Sequence, residues 1–160
     1  MWKRVGKDGS RYWGSRGAGI FFTDGRRVLL LKRSEKGDGY GTWSLPGGKV
    51  EEGETDIDAA MREAREECGR VKGQRFGDLS EKDGMHEWTT FFFRIQKPFK
   101  CRLSDEHTDW KWIKFGSLDG YKLHPKLKEN IDRHLRVVRK SQDKGLLKFS
   151  EWLEFRLNVR

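Results

Sequence analysis

The stretch REAREECG, residues 62–69, places Glu63, Glu66 and Glu67 within five positions and then stops at a glycine. Upstream, Thr55 has the chemistry of a helix N-cap, Asp58 follows three positions later as in a capping box, and Gly69 is a natural C-terminal stop. Advancing about 100° per residue, Ile57, Ala60, Met61, Ala64 and Cys68 gather on one side, a stripe fit to pack on a sheet. Glu63 and Glu67 then project along one flank, roughly 40° apart, with Glu66 next round the cylinder. Two unit charges about 4 Å apart repel by about 4 kcal/mol at an effective dielectric of about 20. Arg62 and Arg65 are expected to point elsewhere round the helix and to leave the triplet short of positive charge. A divalent cation would supply it, because Mg²⁺ takes oxygen ligands and commonly joins carboxylates to a substrate's phosphates. On the triplet alone, a solvated charged helix face is the plainer reading.

The flanking segments place this helix in a mixed fold. RGAGIFFTD and RRVLLLKRS read as strands joined by a turn at Asp24–Gly25, a strong hairpin signal. EWTTFFFRIQ and TDWKWIKF read as further strands from their β-branched and aromatic content. Directly after RRVLLLKRS, EKGDGYGTWSLPGG is a glycine-rich connection around Trp43, in which Gly47 and Gly48 permit a tight turn. HPKLKENIDRHLRVVRK is a basic helix with Leu127, Ile131, Leu135 and Val138 at helical spacing. LLKFSEWLEFRL is a short terminal helix whose apolar stripe is Leu146, Phe149, Leu153 and Trp152. Strands, a helix, strands and a helix predict a mixed sheet covered by helices, and 160 residues suit one domain.

From Gly48 the chain reads GKVEEGETDIDAAMREAREECGR. Gly48, Glu54, Arg62, Glu63, Glu66, Glu67 and Gly69 match the signature G-x5-E-x7-R-E-U-x-E-E-x-G-U, where U is bulky and aliphatic. Seven fixed identities arise by chance in a chain this long about once in a million or rarer. The sequence resembles the Nudix hydrolases, and WSLPGG before the box and GAGIFF earlier are similar to the family as well. The resemblance covers residues 14 to about 140. Two positions depart from the pattern: Ala64 and Arg70 stand where bulky aliphatics are usual. Ala64 still suits the apolar stripe, and Arg70 is expected to turn outward while Val71 takes over the packing.

The resemblance implies an α/β fold, an α/β/α sandwich with a mixed β-sheet between helices. It implies a single domain over residues 1–144, with 145–160 as a short amphipathic extension. It also implies a Mg²⁺ or Mn²⁺ site held by Glu63, Glu66 and Glu67, with the carbonyl of Gly47 or Gly48 assisting. Glu54 and Arg62 resemble the pair that braces the family's loop against its helix. A further carboxylate is often supplied by a later loop, and SDEHTDWKW offers Glu106, with Asp105 and His107 as neighbours. The implied catalytic set is therefore Glu63, Glu66, Glu67 and Glu106. The implied reaction is water attack at phosphorus in a diphosphate linkage, with metal neutralising phosphate charge and a carboxylate taking the proton.

Charge and aromatic content bear on the substrate. The formal net charge is +9, and residues 121–160 carry eleven Lys and Arg against five Asp and Glu. Basic ends around an acidic centre suit an anionic partner, and they also suit plain solubility. Arg16 and Arg33 are candidates to touch phosphate, and Trp43 and Trp88 to stack a base, with core packing as the competing role for both tryptophans. Met85 and His86–Glu87–Trp88 stand where ADP-ribose and dinucleoside polyphosphate enzymes often carry a proline and a tyrosine, so neither subfamily label follows. The expected partner is a nucleotide-type phosphorylated substrate: a nucleoside triphosphate, ADP-ribose or a similar conjugate. Alternatives are an enzyme acting on RNA 5′ ends, gripped by the basic helix from Lys126 to Lys144, and a non-catalytic nucleotide-binding module. With two distant cysteines, no apolar run long enough to span a bilayer and no signal-peptide core, the expectation is a cytoplasmic protein, monomer or homodimer, without a membrane partner.

Overall fold

A strand of 13 residues, β2 (Arg11–Thr23), organises the sheet. The computed structural model describes residues 2–5 and 11–144, with side chains from Ser15 onward. β1 (Trp2–Val5) precedes β2; then come β3 (Arg27–Arg33), β4 (Trp43–Ser44), β5 (Gly47–Lys49), α1 (Asp56–Cys68), β6 (Gln74–Asp83), β7 (His86–Arg94), β8 (His107–Lys114), a 3₁₀ turn at Phe115–Gly120, and α2 (Pro125–Asp143). β2 runs parallel to β7 from Ser15 against His86 to Thr23 against Arg94. It runs antiparallel to β5, with Gly17, Ala18 and Gly19 opposite Lys49, Gly48 and Gly47. β3 carries β4 and β8 on its two edges, and β6 closes the other side by pairing with β7.

Side chains alternate across this sheet with period two, which sorts them into two cores. Ala18, Ile20, Phe22, Leu29, Leu31, Phe91 and Phe93 face one way and meet Ala59, Ala60, Ala64 and Cys68 of α1. Phe21, Val28, Leu30, Phe92 and Ile113 face the other way and meet Leu127 and Val138 of α2. The result is the expected sandwich of a mixed sheet between helices. Among the described residues no helix is long and apolar enough to cross a membrane. The extension expected at 145–160 lies outside the described residues.

α1 begins and ends as its sequence predicts. The Thr55 hydroxyl accepts from the Asp58 N–H at 3.2 Å, and Gly69 takes the left-handed conformation at φ 82°. Arg70 is exposed while Val71 packs on the core, as expected. One expectation fails: Gly47 and Gly48 are not a tight turn but the strand β5. Neither has a positive φ; what they need is room. A Cβ on Gly47 would sit 2.5 Å from the Ala18 carbonyl oxygen, and one on Gly48 would sit 2.5 Å from Glu63 Cδ.

β6 escapes sequence patterning because it is an edge strand rich in charge, QRFGDLSEKD. Its hairpin with β7 was nevertheless signalled by Asp83–Gly84, where Gly84 takes φ 60° as the first residue of a two-residue loop.

Candidate active site

α1 carries its glutamates to the sheet edge where β5 lies on β2, and each finds a different environment. Glu67 is 3% exposed. Its carboxylate accepts the Gly47 N–H at 3.0 Å and has no ion pair among the described residues. Burial pushes its pKa up to about 9; the Gly47 hydrogen bond opposes this, and the charges of Glu63 and Glu106 add to it. Glu63 is half-buried over Gly48, and burial again raises its pKa, with Glu66 and Glu106 adding repulsion. Glu66 is exposed.

Arg62 corrects the sequence expectation. It does not point away: its Nη1 lies 3.1 Å from Glu63 and 3.3 Å from Glu66. The same guanidinium holds Glu54 through two parallel bonds, 2.8 and 3.0 Å, and donates to the Lys49 carbonyl at 3.0 Å. Such a bidentate fork has direction as well as charge. It ties the loop before α1 to the helix and holds the Glu54 carboxyl below its usual range. Arg62 bonds with only two of the triplet, and Glu67 is left for something else.

That something is framed from the far side by the first residue of β8 and the residue before it. One donor atom each from Glu67, Glu106 and His107 lie within 4.8 Å of one another. Two of the three are buried and Glu106 is exposed. His107 is 7% exposed, and burial, with Arg33 nearby, lowers its pKa to about 4, so the ring is neutral. Its Nδ1 has no hydrogen-bond partner among the described residues. A buried carboxylate with no ion-pair partner and an imidazole nitrogen with no hydrogen-bond partner among the described residues, with an exposed carboxylate beside them, form a donor set that fits a divalent ion.

The four residues expected at the substrate divide. A cleft of about 920 Å³ runs past the carboxylates, and Arg16, Arg33 and Trp88 line it. Arg16 is tethered to Asp56 at 2.5 Å, and Arg33 to the backbone and carboxylate of Asp38 at 2.6 and 2.7 Å. Trp88 lies over Gly17, Gly19 and Gly47, whose missing side chains make space for its ring. Trp43 is not part of the cleft. It is 7% exposed, packs edge-on against Tyr121 and has Lys111 over its ring, so core packing takes it.

Sequence reading missed the opposite wall: Glu81 of β6 and Asn130, Arg133 and His134 of α2. The hairpin turn at Asp83–Gly84 would have paired β6 with β7 and set Glu81 opposite Trp88.

The sequence pattern defining the NUDIX domain matches residues 14–136, so the chain belongs to the NUDIX domain family. It is 33% identical over 99 residues to the asymmetrical bis(5′-nucleosyl)-tetraphosphatase of Mus musculus, a match covering 53% of this chain and 62% of that one. It is 29% identical over 146 residues to a putative 8-oxo-dGTP diphosphatase of Bacillus subtilis, covering 86% and 93%. The fold is shared with a Nudix hydrolase from M. smegmatis, RenU, at a TM-score of 0.71 and 23% identity over 87% of this chain and 95% of that one.

Proposed function

We propose that this chain is a divalent-metal-dependent pyrophosphohydrolase that cleaves a diphosphate linkage in a nucleoside diphosphate-linked substrate by water attack at phosphorus. The observation that carries the reading is Glu67: a carboxylate in the cleft wall with burial raising its pKa, no ion-pair partner among the described residues, and Glu106 and His107 within reach. Mg²⁺ or Mn²⁺ held by Glu63, Glu66, Glu67 and the Gly48 carbonyl, with Glu106 and His107 opposite, would neutralise phosphate charge and activate water. The chain's own residues do the rest. Arg62 fixes Glu63 and Glu66 and ties them to Glu54, so the carboxylates meet substrate already oriented. Gly47 and Gly48 let backbone approach where a side chain would collide. Arg16 and Arg33 place positive charge on the cleft wall for phosphate oxygens. Glu106 is the proton acceptor we assign, because it is the exposed member of the close triad. The mouse and bacterial relatives are named for acting on nucleotides with phosphate anhydrides, which supports the substrate class.

The test is a cleavage panel with Mg²⁺ and then Mn²⁺: unmodified and oxidised nucleoside triphosphates, ADP-ribose, dinucleoside polyphosphates, and triphosphorylated and capped RNA. Glu67→Gln runs beside the wild type. Cleavage of one class, lowered about 100-fold or more in the variant, is the expected result. A folded wild type that cleaves none of the panel with either metal sinks the proposal.

A second reading, action on RNA 5′ ends, is favoured by one specific observation. Lys126 and Arg133 line the cleft, and Arg136 and Lys140 continue an exposed basic face along α2. RNA leaving the cleft would meet that face.

A further inference from the structure

Beyond Trp88, the far end of the cleft is built by β6 and α2. Glu81 stands opposite Trp88 across the β6–β7 pair, so both side chains rise from the sheet face that α2 covers. A relay of hydrogen bonds fixes where each proton lies. The Trp88 indole N–H donates to Thr90 Oγ1 at 3.0 Å. Thr90 Oγ1 lies 3.2 Å from His134 Nε2, and His134 Nδ1 lies 2.7 Å from the Asn130 carbonyl oxygen. A carbonyl only accepts, so Nδ1 carries the ring proton. Burial lowers the pKa of His134 from its ordinary value, against the pull of the Asn130 hydrogen bond; in the neutral ring with Nδ1 protonated, Nε2 is a lone pair that receives the threonine hydroxyl proton.

Glu81 Oε1 is 3.8 Å from that same Nε2. It therefore faces an acceptor where it needs a donor. The atom is buried and has no hydrogen-bond partner among the described residues. Burial raises the pKa of the carboxyl, and the neighbouring Arg133 and Lys126 charges only partly offset this. A buried carboxylate oxygen without a donor is costly, and sites that retain one have a use for it.

We propose that Glu81 is the specificity-determining residue of the cleft and accepts two adjacent N–H donors from a guanine-type base lying against Trp88. The chemistry selects the base. A carboxylate presents two acceptors side by side, which match a ring N–H next to an exocyclic amine. Adenine presents an amine next to a ring nitrogen lone pair, which repels the second carboxylate oxygen, and hypoxanthine lacks the amine. The inference rests on the hydrolase reading for its reaction but not for its binding, and the two are tested separately.

The experiment is calorimetric titration of the whole chain with GMP, IMP and AMP, which needs no turnover, alongside kcat/KM for GTP, ITP and ATP. GMP is expected to bind about tenfold or more tighter than IMP and AMP, with the same order in kcat/KM. Glu81→Gln, checked for folding by circular dichroism, is expected to bring the three within about threefold of one another. Equal affinities in the wild type, no binding of any of the three, or a guanine preference that survives in Glu81→Gln each overturns the proposal. The wild-type comparison stands whether or not the variant folds. Guanine-selective binding without turnover of any substrate would overturn the hydrolase reading and leave this one standing.

Discussion

Gly47 and Gly48 are adjacent in sequence and answer to different neighbours. A Cβ on Gly47 would strike β2 backbone, at 2.5 Å from the Ala18 carbonyl and 2.6 Å from Gly19 Cα. Backbone in a sheet centre cannot yield, so Gly47→Ala is expected to cost about 1–3 kcal/mol of stability, read as a shift in the urea midpoint. The three atoms nearest to a Cβ on Gly48 all belong to the far end of the Glu63 side chain. Gly48→Ala is therefore expected to melt close to wild type while losing activity about tenfold or more, because Glu63 is displaced from its seat over the glycine. Equal melting losses in the two variants would show that the crowding at Gly48 is not confined to a side chain. Gly48 was visible in the sequence as the first residue of the box, and Gly47 as its neighbour in WSLPGG. Which atoms they make room for was not, since β5 and β2 come together across about thirty residues of chain.

The two helices differ in how far they could be read ahead. α1 declares its cap, stripe and stop locally, and the structure keeps all three. α2 also shows its apolar stripe, but its most consequential side chain, His134, is a polar residue that only the packed molecule explains. His134 is 3% exposed, stacked on Phe21 at 5.9 Å and bonded to Thr90. Burial depresses its folded pKa below the ordinary 6.5. The unfolded chain thus takes up a proton near pH 6.5 that the folded chain refuses. The linked stability is present above that value and is lost as pH falls toward the folded value. Melting temperature is expected to fall as pH drops below about 6.5, and His134→Gln to make that fall shallower; His107, whose pKa burial also lowers, acts in the same direction, and Glu67, whose pKa burial raises, acts against both. An unchanged slope in His134→Gln would mean that the histidine takes up its proton as readily in the folded molecule as in the unfolded chain. Arg62 teaches the same lesson on α1: helical geometry set its direction at Cβ, but its long side chain turned back to the carboxylates because Glu54 and Lys49 were waiting there.

The whole molecule sets carboxylates against a basic surface, and salt separates the two substrate readings. If RNA runs along α2, kcat/KM on a capped or triphosphorylated RNA should fall steeply between about 50 and 200 mM salt, and far more than on a mononucleotide. Equal salt dependence for both would remove α2 from the substrate path. The chain by itself determined the box, the capped α1, the apolar and β-branched strands and hence a sheet between helices, because each of these is a local pattern of residue chemistry. Tertiary structure alone decided that Glu67 is buried with no ion-pair partner among the described residues, that Glu106 and His107 close on it at the start of β8, and that Trp43 belongs to the core while Trp88 lines the cleft. It alone brought Glu81 to face His134. Burial and pairing are properties of residues that chain folding makes neighbours, and no spacing along the sequence encodes them.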